Sequence, residues 1–212
     1  EKKHARIQIK RRDWDITDKE FWKQFCIGKE LLLKFGVSPI KYFWINETRF
    51  KCYSNSYCFD FNGNRKIYCP YETDHKWYSN TNKECIQGYN QLLPEGEIIF
   101  LTSSLKDIMC LAVLGYQSVA LQSEMQMPDE MLIKELKSRF TRVVILYDND
   151  FNSKDNPGQM MAGKICDEHT LINIYIPTEY QSKDISDLIK NYGLDVANNF
   201  IKNSLPHGIF VL

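Results

Sequence analysis

The apolar run Arg142-Val143-Val144-Ile145-Leu146-Tyr147 ends directly in Asp148-Asn149-Asp150. Two carboxylates two residues apart, at the end of a run that reads as a buried strand, face one mouth and repel each other there. A hard divalent cation, Mg2+ or Mn2+, suits such a place, because it takes a few carboxylates and completes its shell with water and phosphate oxygens. Read alone, the pair also fits a turn capped by Asp148 with Asp150 in solvent. Further acids follow other apolar runs. Asp107 sits in Ser103-Ser104-Leu105-Lys106-Asp107, and Asp184 and Asp187 sit in Lys183-Asp184-Ile185-Ser186-Asp187-Leu188. Each taken singly fits the preference of a helix N-terminus for acids. That preference does not explain why acids follow three different strands toward one sheet edge.

The elements around these acids must bring them together. Residues 97–101, 118–121, 142–147 and 173–176 read as short apolar strands. Helical patterns over 104–114, 128–140, 158–171, 184–192 and 195–203 alternate with them or follow them. Strands alternating with helices of this length predict βαβ units and a mostly parallel sheet flanked by helices. Ligands in such sheets lie beyond the C-terminal strand ends, where the acids stand. Pro94-Glu95-Gly96 punctuates the chain and predicts a boundary, with domains over 1–94 and 95–212. The first of these reads as a smaller α+β unit. Residues 18–35 predict one or two short helices, the first capped by Asp18. Residues 40–46, 49–53, 57–61 and 66–71 predict strands, the last two joined by a hairpin at Asn62-Gly63-Asn64.

The chain has 212 residues, enough for one large domain or two small ones, and 43% of them are hydrophobic. Plentiful aromatics exclude a disordered chain. The longest apolar run, 108–115, is too short to cross a membrane, so no membrane partner is expected. The basic start lacks the apolar stretch of a signal peptide. The first residue is Glu1 rather than Met, as expected for a piece of a longer protein. Twenty-seven basic and 27 acidic side chains cancel, so net charge is uninformative. Their distribution is not. Lys2, Lys3, Arg6, Lys10, Arg11 and Arg12 crowd the start, and Lys/Arg dominate to about Lys83, whereas Asp148, Asp150, Asp155, Asp184 and Asp187 come late. This fits a protein that holds a polyanion in one half and a metal in the other, and it also fits a solvated basic tail. Seven cysteines without a CxxC pair read as reduced thiols of a cytoplasmic protein rather than a zinc site at Cys52, Cys58, Cys69 and Cys85.

The second half resembles the TOPRIM domain of bacterial-type DNA primases, topoisomerases and some nucleases. That family places an acidic E-G-x-x-D stretch after the first strand, D-x-D with a following AG after a later strand, and a further acidic segment after the next. The counterparts are Ser103 to Asp107, then Asp148-Asn149-Asp150 with Gly158 and Ala162-Gly163, then Pro177 through Asp187. The first half is similar to the N-terminal part of a phage-type or bacterial primase core. Lys76-Trp77-Tyr78-Ser79-Asn80-Thr81, then Lys83, then Gly88-Tyr89 resemble its K-Y-x-N-S, later Lys and L-Y-G segments. Lys66-Ile67-Tyr68-Cys69-Pro70 resembles the preceding strand that ends in F-P.

The resemblance implies a nucleotidyltransferase that makes short RNA primers from ribonucleotides on a single-stranded DNA template, with a replicative helicase as a further partner. It implies Asp107, Asp148, Asp150, Lys76 and Lys83 as catalytic residues and Asp148, Asp150, Asp184 and Asp187 as ligands of Mg2+ or Mn2+. Lys76, Lys83, Lys66, Lys10, Arg11 and Arg12 would hold nucleic acid, and Trp77 or Tyr78 would stack a base unless packed in the core. One departure matters: Ser103 stands at the family's Glu, and Glu124, after the second strand, is the acid placed to take over its role. The family's preceding zinc-binding segment and its helicase-binding tail are not among these residues. Other readings are a TOPRIM nuclease, a degenerate TOPRIM module that only binds nucleic acid, and an unrelated flavodoxin-like or receiver-like α/β protein.

Overall fold

The computed structural model describes residues 5–205; Lys2 and Lys3 of the basic start lie outside them. The chain divides into two compact units between Cys85 and Ile86. Residues 86–94 go with the second unit, because Ile86, Tyr89 and Leu92 pack against its core.

The first unit runs β1 (Ile7–Arg11), α1 (Ile16–Lys23), α2 (Lys29–Lys34), β2 (Val37–Ile45), β3 (Thr48–Lys51), β4 (Tyr57–Phe61), β5 (Asn64–Tyr68) and β6 (Trp77–Ser79). Its strands form an antiparallel sheet in the order β1-β2-β4-β5-β6, with β3 on β2. The hairpin between β4 and β5 turns on Asn62 and Gly63, at φ of 55° and 95°. Both are left-handed, as a two-residue turn matched to strand twist requires. The sequence does not announce β1 or β6. Residues 7–11 are a strand rather than a solvated tail: alternation puts Ile7 into the core with Phe43 and leaves Lys10 outside.

The cap of α1 is Asp15, not Asp18. Asp15 accepts from the N–H groups of Thr17 and Asp18, while Asp18, three positions on, accepts from the Asp15 N–H. Asp18 is fully buried, and its carboxylate does more. It takes the Arg12 guanidinium as a fork at 2.6 and 2.7 Å and the Tyr57 hydroxyl at 2.9 Å. Phe21, Trp22 and Tyr57 pack around this network.

The second unit runs β7 (Gly96–Thr102), α3 (Leu105–Val113), β8 (Gln117–Ala120), α4 (Glu130–Arg139), β9 (Phe140–Leu146), α5 (Pro157–His169), β10 (Ile172–Asn173) and α6 (Ile185–Ser204). The sheet is wholly parallel, in the order β10-β9-β7-β8. One of its faces is covered from α4 and α5: Ile99, Leu101, Val143 and Ile145 share a core with Leu132, Leu136, Ala162 and Ile165. The helix α3 packs on β8 and on α6. Burial on both faces is why β7 and β9 read as unbroken apolar runs. The two helices expected at the end of the chain are two arms of α6, broken at Gly193 (φ 85°, ψ 175°). No helix among the described residues is long and apolar enough to cross a membrane, and all seven cysteines are free.

Replacing Asp18 by Ala leaves the half-buried Arg12 guanidinium with only Asp15 and the Asp13 carbonyl, and the Tyr57 hydroxyl without its acceptor. The expected cost is about 2–3 kcal/mol of stability. Urea unfolding followed by Trp fluorescence measures it, and a loss below about 1 kcal/mol would mean that water replaces the carboxylate.

Candidate metal centre

Each acid is delivered by the end of an element. Thr102 closes β7, and the chain then turns through Ser103 into Ser104, which caps α3. Asp107 follows in the first turn, and its Oδ2 accepts from the Ser104 hydroxyl at 2.6 Å. Two residues beyond β9 comes Asp148. Asp184 is the N-cap of α6: its Oδ1 accepts from the Ser186 hydroxyl at 2.6 Å and from the Asp187 N–H at 2.7 Å. Carboxylate oxygens of Asp107, Asp148 and Asp184 lie within 4.8 Å of one another, and all three residues are buried. This is the only such group of metal-ligating side chains among the described residues, so Cys52, Cys58, Cys69 and Cys85 do not make one.

Asn149, the middle residue of the D-x-D, is a clamp rather than a spacer. Its N–H donates to the Lys183 carbonyl at 2.7 Å and its side-chain amide to the Ile176 carbonyl at 2.8 Å. These bonds fasten the end of β9 to the chain that enters α6. Asn156 donates to the Asn149 side chain at 2.7 Å and accepts from the Asp150 N–H at 2.9 Å. Gln159 donates to the carbonyls of Tyr147 and Asp148 at 3.1 and 3.2 Å. Ser103 accepts from the Asp148 N–H at 3.1 Å.

Burial and crowding set the charges. The Asp107 carboxyl is pushed up to about 8, by burial first and then by Asp184, with Lys106 opposing. Its Oδ1 is buried with no hydrogen-bond partner. Asp148 is raised by burial and by Asp184, against the pull of Lys183. For Asp184 burial also works upward, but Lys106, Lys183 and the hydrogen bonds at the helix cap outweigh it and hold the carboxyl low. Asp187, half-buried, is raised by burial and then by Asp184.

Glu124, after β8, faces the same region. Burial raises its carboxyl first, and Asp148 and Asp150 raise it further. Its Oε2 is buried and unpartnered. Lys183 is the charged side chain of this cluster that the sequence reading passed over. Its ammonium bonds Asp148 and stands 3.7 Å from Asp150 Oδ1 and 3.9 Å from Asp184 Oδ2. Its place immediately before the Asp184 cap was the available signal.

The basic residues singled out from the sequence lie in the first unit. Lys76 and Lys83 are exposed, as is Lys10 on β1. Arg11 is exposed and 3.9 Å from Asp60. Lys66 lies over the Trp77 ring, 4.9 Å from its centre. Arg12 gives its guanidinium to Asp18 and Asp15, an ion-pair role that the sequence reading did not include. The aromatic pair divides between core and surface. Tyr78 packs among Phe43 and Phe50, whereas Trp77 stacks on Tyr68 and is 38% exposed, because adjacent strand residues face opposite ways.

No family model and no curated protein matches the chain. Solved structures do. The DnaG catalytic core is similar over 89% of this chain and 73% of that one, at 13% identity and a TM-score of 0.65. The DnaG primase catalytic domain bound to single-stranded DNA is similar over 89% and 71%, at 13% identity and a TM-score of 0.64. The primase domain of bacteriophage T7, solved with its lagging-strand DNA polymerase, an RNA/DNA hybrid and dTTP, is similar over 94% and 92%, at 14% identity and a TM-score of 0.52. The chain has the fold of a primase catalytic core.

The backbone of the D-x-D has no slack at α5. A Cβ on Gly158 would run into the Asp148 carbonyl and come 3.3 Å from the Glu124 carboxylate. Gly158→Ala is expected to cost roughly 2–3 kcal/mol, since backbone must move to admit the methyl. Thermal unfolding of the variant checks this, and an unchanged midpoint would refute the packing argument.

Proposed function

We propose that this chain is the primer-synthesising core of a DNA primase, joining ribonucleotides on a single-stranded DNA template by metal-dependent nucleotidyl transfer. One observation carries the reading: in a chain with the fold of a primase core, three buried carboxylates from Asp107, Asp148 and Asp184 converge beyond the C-terminal ends of parallel strands. The second unit is accordingly read as a TOPRIM domain.

The residues fit a divalent ion. The donors are all oxygen, which suits Mg2+ or Mn2+ rather than a softer metal. Asp107 carries a buried oxygen that nothing in the protein satisfies, where an unpaired polar atom costs stability. Asp107, Asp148 and Asp184 would hold the metal, with Asp150 and Asp187 beside them. A bound ion supplies charge neutralisation at the phosphates and an activated 3′-hydroxyl. The protein's own part is to fix the carboxylates through Asn149 and the cap of α6 and to offer Glu124 as a further acid. Lys76, Lys83, Lys66, Lys10 and Arg11 would bind template phosphates without regard to sequence, and Trp77 would stack a base. The likeness to a primase domain bound to single-stranded DNA supports that partner, and a phage primase domain among the similar structures supports a replicative helicase as another.

One observation favours a second reading, a TOPRIM module that only binds nucleic acid. Ser103 replaces the family's Glu, and its hydroxyl is used on the Asp148 N–H. Glu124 weighs against this reading, because it returns a carboxylate with one buried, unpartnered oxygen to the same mouth.

A priming assay separates the two. With single-stranded DNA, labelled ribonucleotides and Mg2+ or Mn2+, the wild type is expected to make short products, and Asp148→Asn/Asp150→Asn to lose them by about 100-fold or more. DNA binding without products from the wild type would favour the binding module, and no DNA binding at all would sink both readings.

Metal binding should also depend on pH in a stated direction. A carboxyl held up at about 8 is mostly protonated at pH 7, and a metal must displace that proton. Mn2+ affinity is therefore expected to rise from pH 7 to 8.5 and then level off. A Mn2+ titration at several pH values reads this, and a flat profile would mean that Asp107 is not a ligand.

A further inference from the structure

The half-exposed side chain of Lys183 places its ammonium among Asp148, Asp150 and Asp184. Its backbone is pinned, since its carbonyl accepts from the Asn149 N–H at 2.7 Å. A fixed backbone under a flexible, half-exposed stem lets the charged end move while the loop stays. The oxygens facing the ammonium are Asp148 Oδ2, Asp150 Oδ1 and Asp184 Oδ2. On Asp184 the other oxygen is already committed to Ser186 and Asp187. A divalent ion held by Asp148 and Asp184 therefore meets Lys183 at Asp184 Oδ2, and at Asp148 wherever it takes Oδ2. An ammonium at hydrogen-bond distance and a cation in inner-shell contact cannot share one approach to a carboxylate oxygen.

We infer that Lys183 is an exchangeable counter-cation of the aspartate cluster: the divalent ion displaces it from Asp148, and the freed ammonium is delivered to the phosphates of the incoming nucleotide. This rests on the metal-dependent reading above and adds a positioning residue to it. Lysine suits the second role, because it binds phosphate as a mobile point charge and needs no bidentate geometry. The exchange also keeps the cluster from standing uncompensated at any stage. Before metal, the ammonium offsets the repulsion of the carboxylates. After metal, the same ammonium would otherwise oppose the ion, and a triphosphate gives it a new partner.

The test uses the full chain and Mn2+ alone, with free ion followed by electron paramagnetic resonance. Lys183→Met removes the competing charge and is expected to bind Mn2+ about tenfold more tightly than wild type, with Lys183→Gln moving the same way and Lys183→Arg staying near wild type. With Mn2+ saturating, inorganic tripolyphosphate is then expected to bind Lys183→Met about tenfold more weakly. Equal or weaker Mn2+ binding by both Lys183→Met and Lys183→Gln, while Asp148→Asn loses the ion, would overturn the exchange and leave the metal site standing. Unchanged tripolyphosphate binding would overturn the delivery to phosphate. No Mn2+ binding by the wild type or either neutral Lys183 variant would overturn the metal reading and this inference with it.

Discussion

Three buried carboxylates within 4.8 Å of one another repel, and the second unit is built around holding them there. Water would screen the repulsion, but burial removes water, and each acid then favours its neutral form. The protein answers with two lysines, two helix N-termini and a rigid frame. Lys183 and Lys106 supply positive charge. The caps of α3 and α6 supply N–H donors and the positive ends of their dipoles. The frame is the parallel sheet, whose neighbouring strands β7 and β9 end side by side, tied by the Thr102 hydroxyl to the Leu146 carbonyl at 2.9 Å. Compensation is uneven, so Asp184 stays charged while Asp107 is driven toward its protonated form. An arrangement this costly to the free fold is the kind that marks a functional site, since a purely structural cluster would gain from apolar replacements.

The first unit meets a different charge problem in the opposite way. Asp18 is as buried as the site aspartates, but its carboxylate is fully used by the Arg12 fork, the Tyr57 hydroxyl and the cap of α1. Nothing about it is left to engage a ligand. The contrast is instructive, because Asp107 presents a buried oxygen with no partner and Asp18 presents none. Burial alone does not separate a structural carboxylate from a functional one. The fate of every oxygen does.

Much of this was legible in the residues. The alternation of apolar runs and helical patterns gave the parallel sheet, and the rule that ligands gather at strand ends placed Asp107, Asp148 and Asp184 on one edge. What was missed was missed for physical reasons. The strand β1 is short, and its Lys10, Arg11 and flanking Arg12 hid the Ile7 and Ile9 alternation. The Arg12–Asp18 pair went unread because sequence spacing does not reveal a partner six residues away that a turn brings back. Asp15 and Asp18 are both good caps, and only the backbone geometry decides which stands outside the helix. Lys183 went unread because lysine beside aspartate is ordinary on a surface; its place in the cluster depends on Asn149 drawing two loops together.

Ser103, where the proposed reading expects an acid, bears on how a strand-end site is assembled. A hydroxyl there is short enough to accept the Asp148 N–H, and it also hydrogen-bonds the Glu124 carboxylate. Ser103 thus couples the end of β9 to the acid that follows β8. A longer acidic side chain at the same position would bring another negative charge to Asp148, which is already raised by Asp184. Glu124 reaches the mouth from the neighbouring strand, with Tyr147 and Gly158 beside it. The tight approach at Gly158 is to the Asp148 carbonyl, and the Glu124 carboxylate lies 3.3 Å from where a side chain on α5 would begin. On the proposed reading, an acid after the first strand and Glu124 after the second would be two solutions to one requirement. A carboxylate must enter the mouth, and in a parallel sheet any strand that ends on that edge can deliver it.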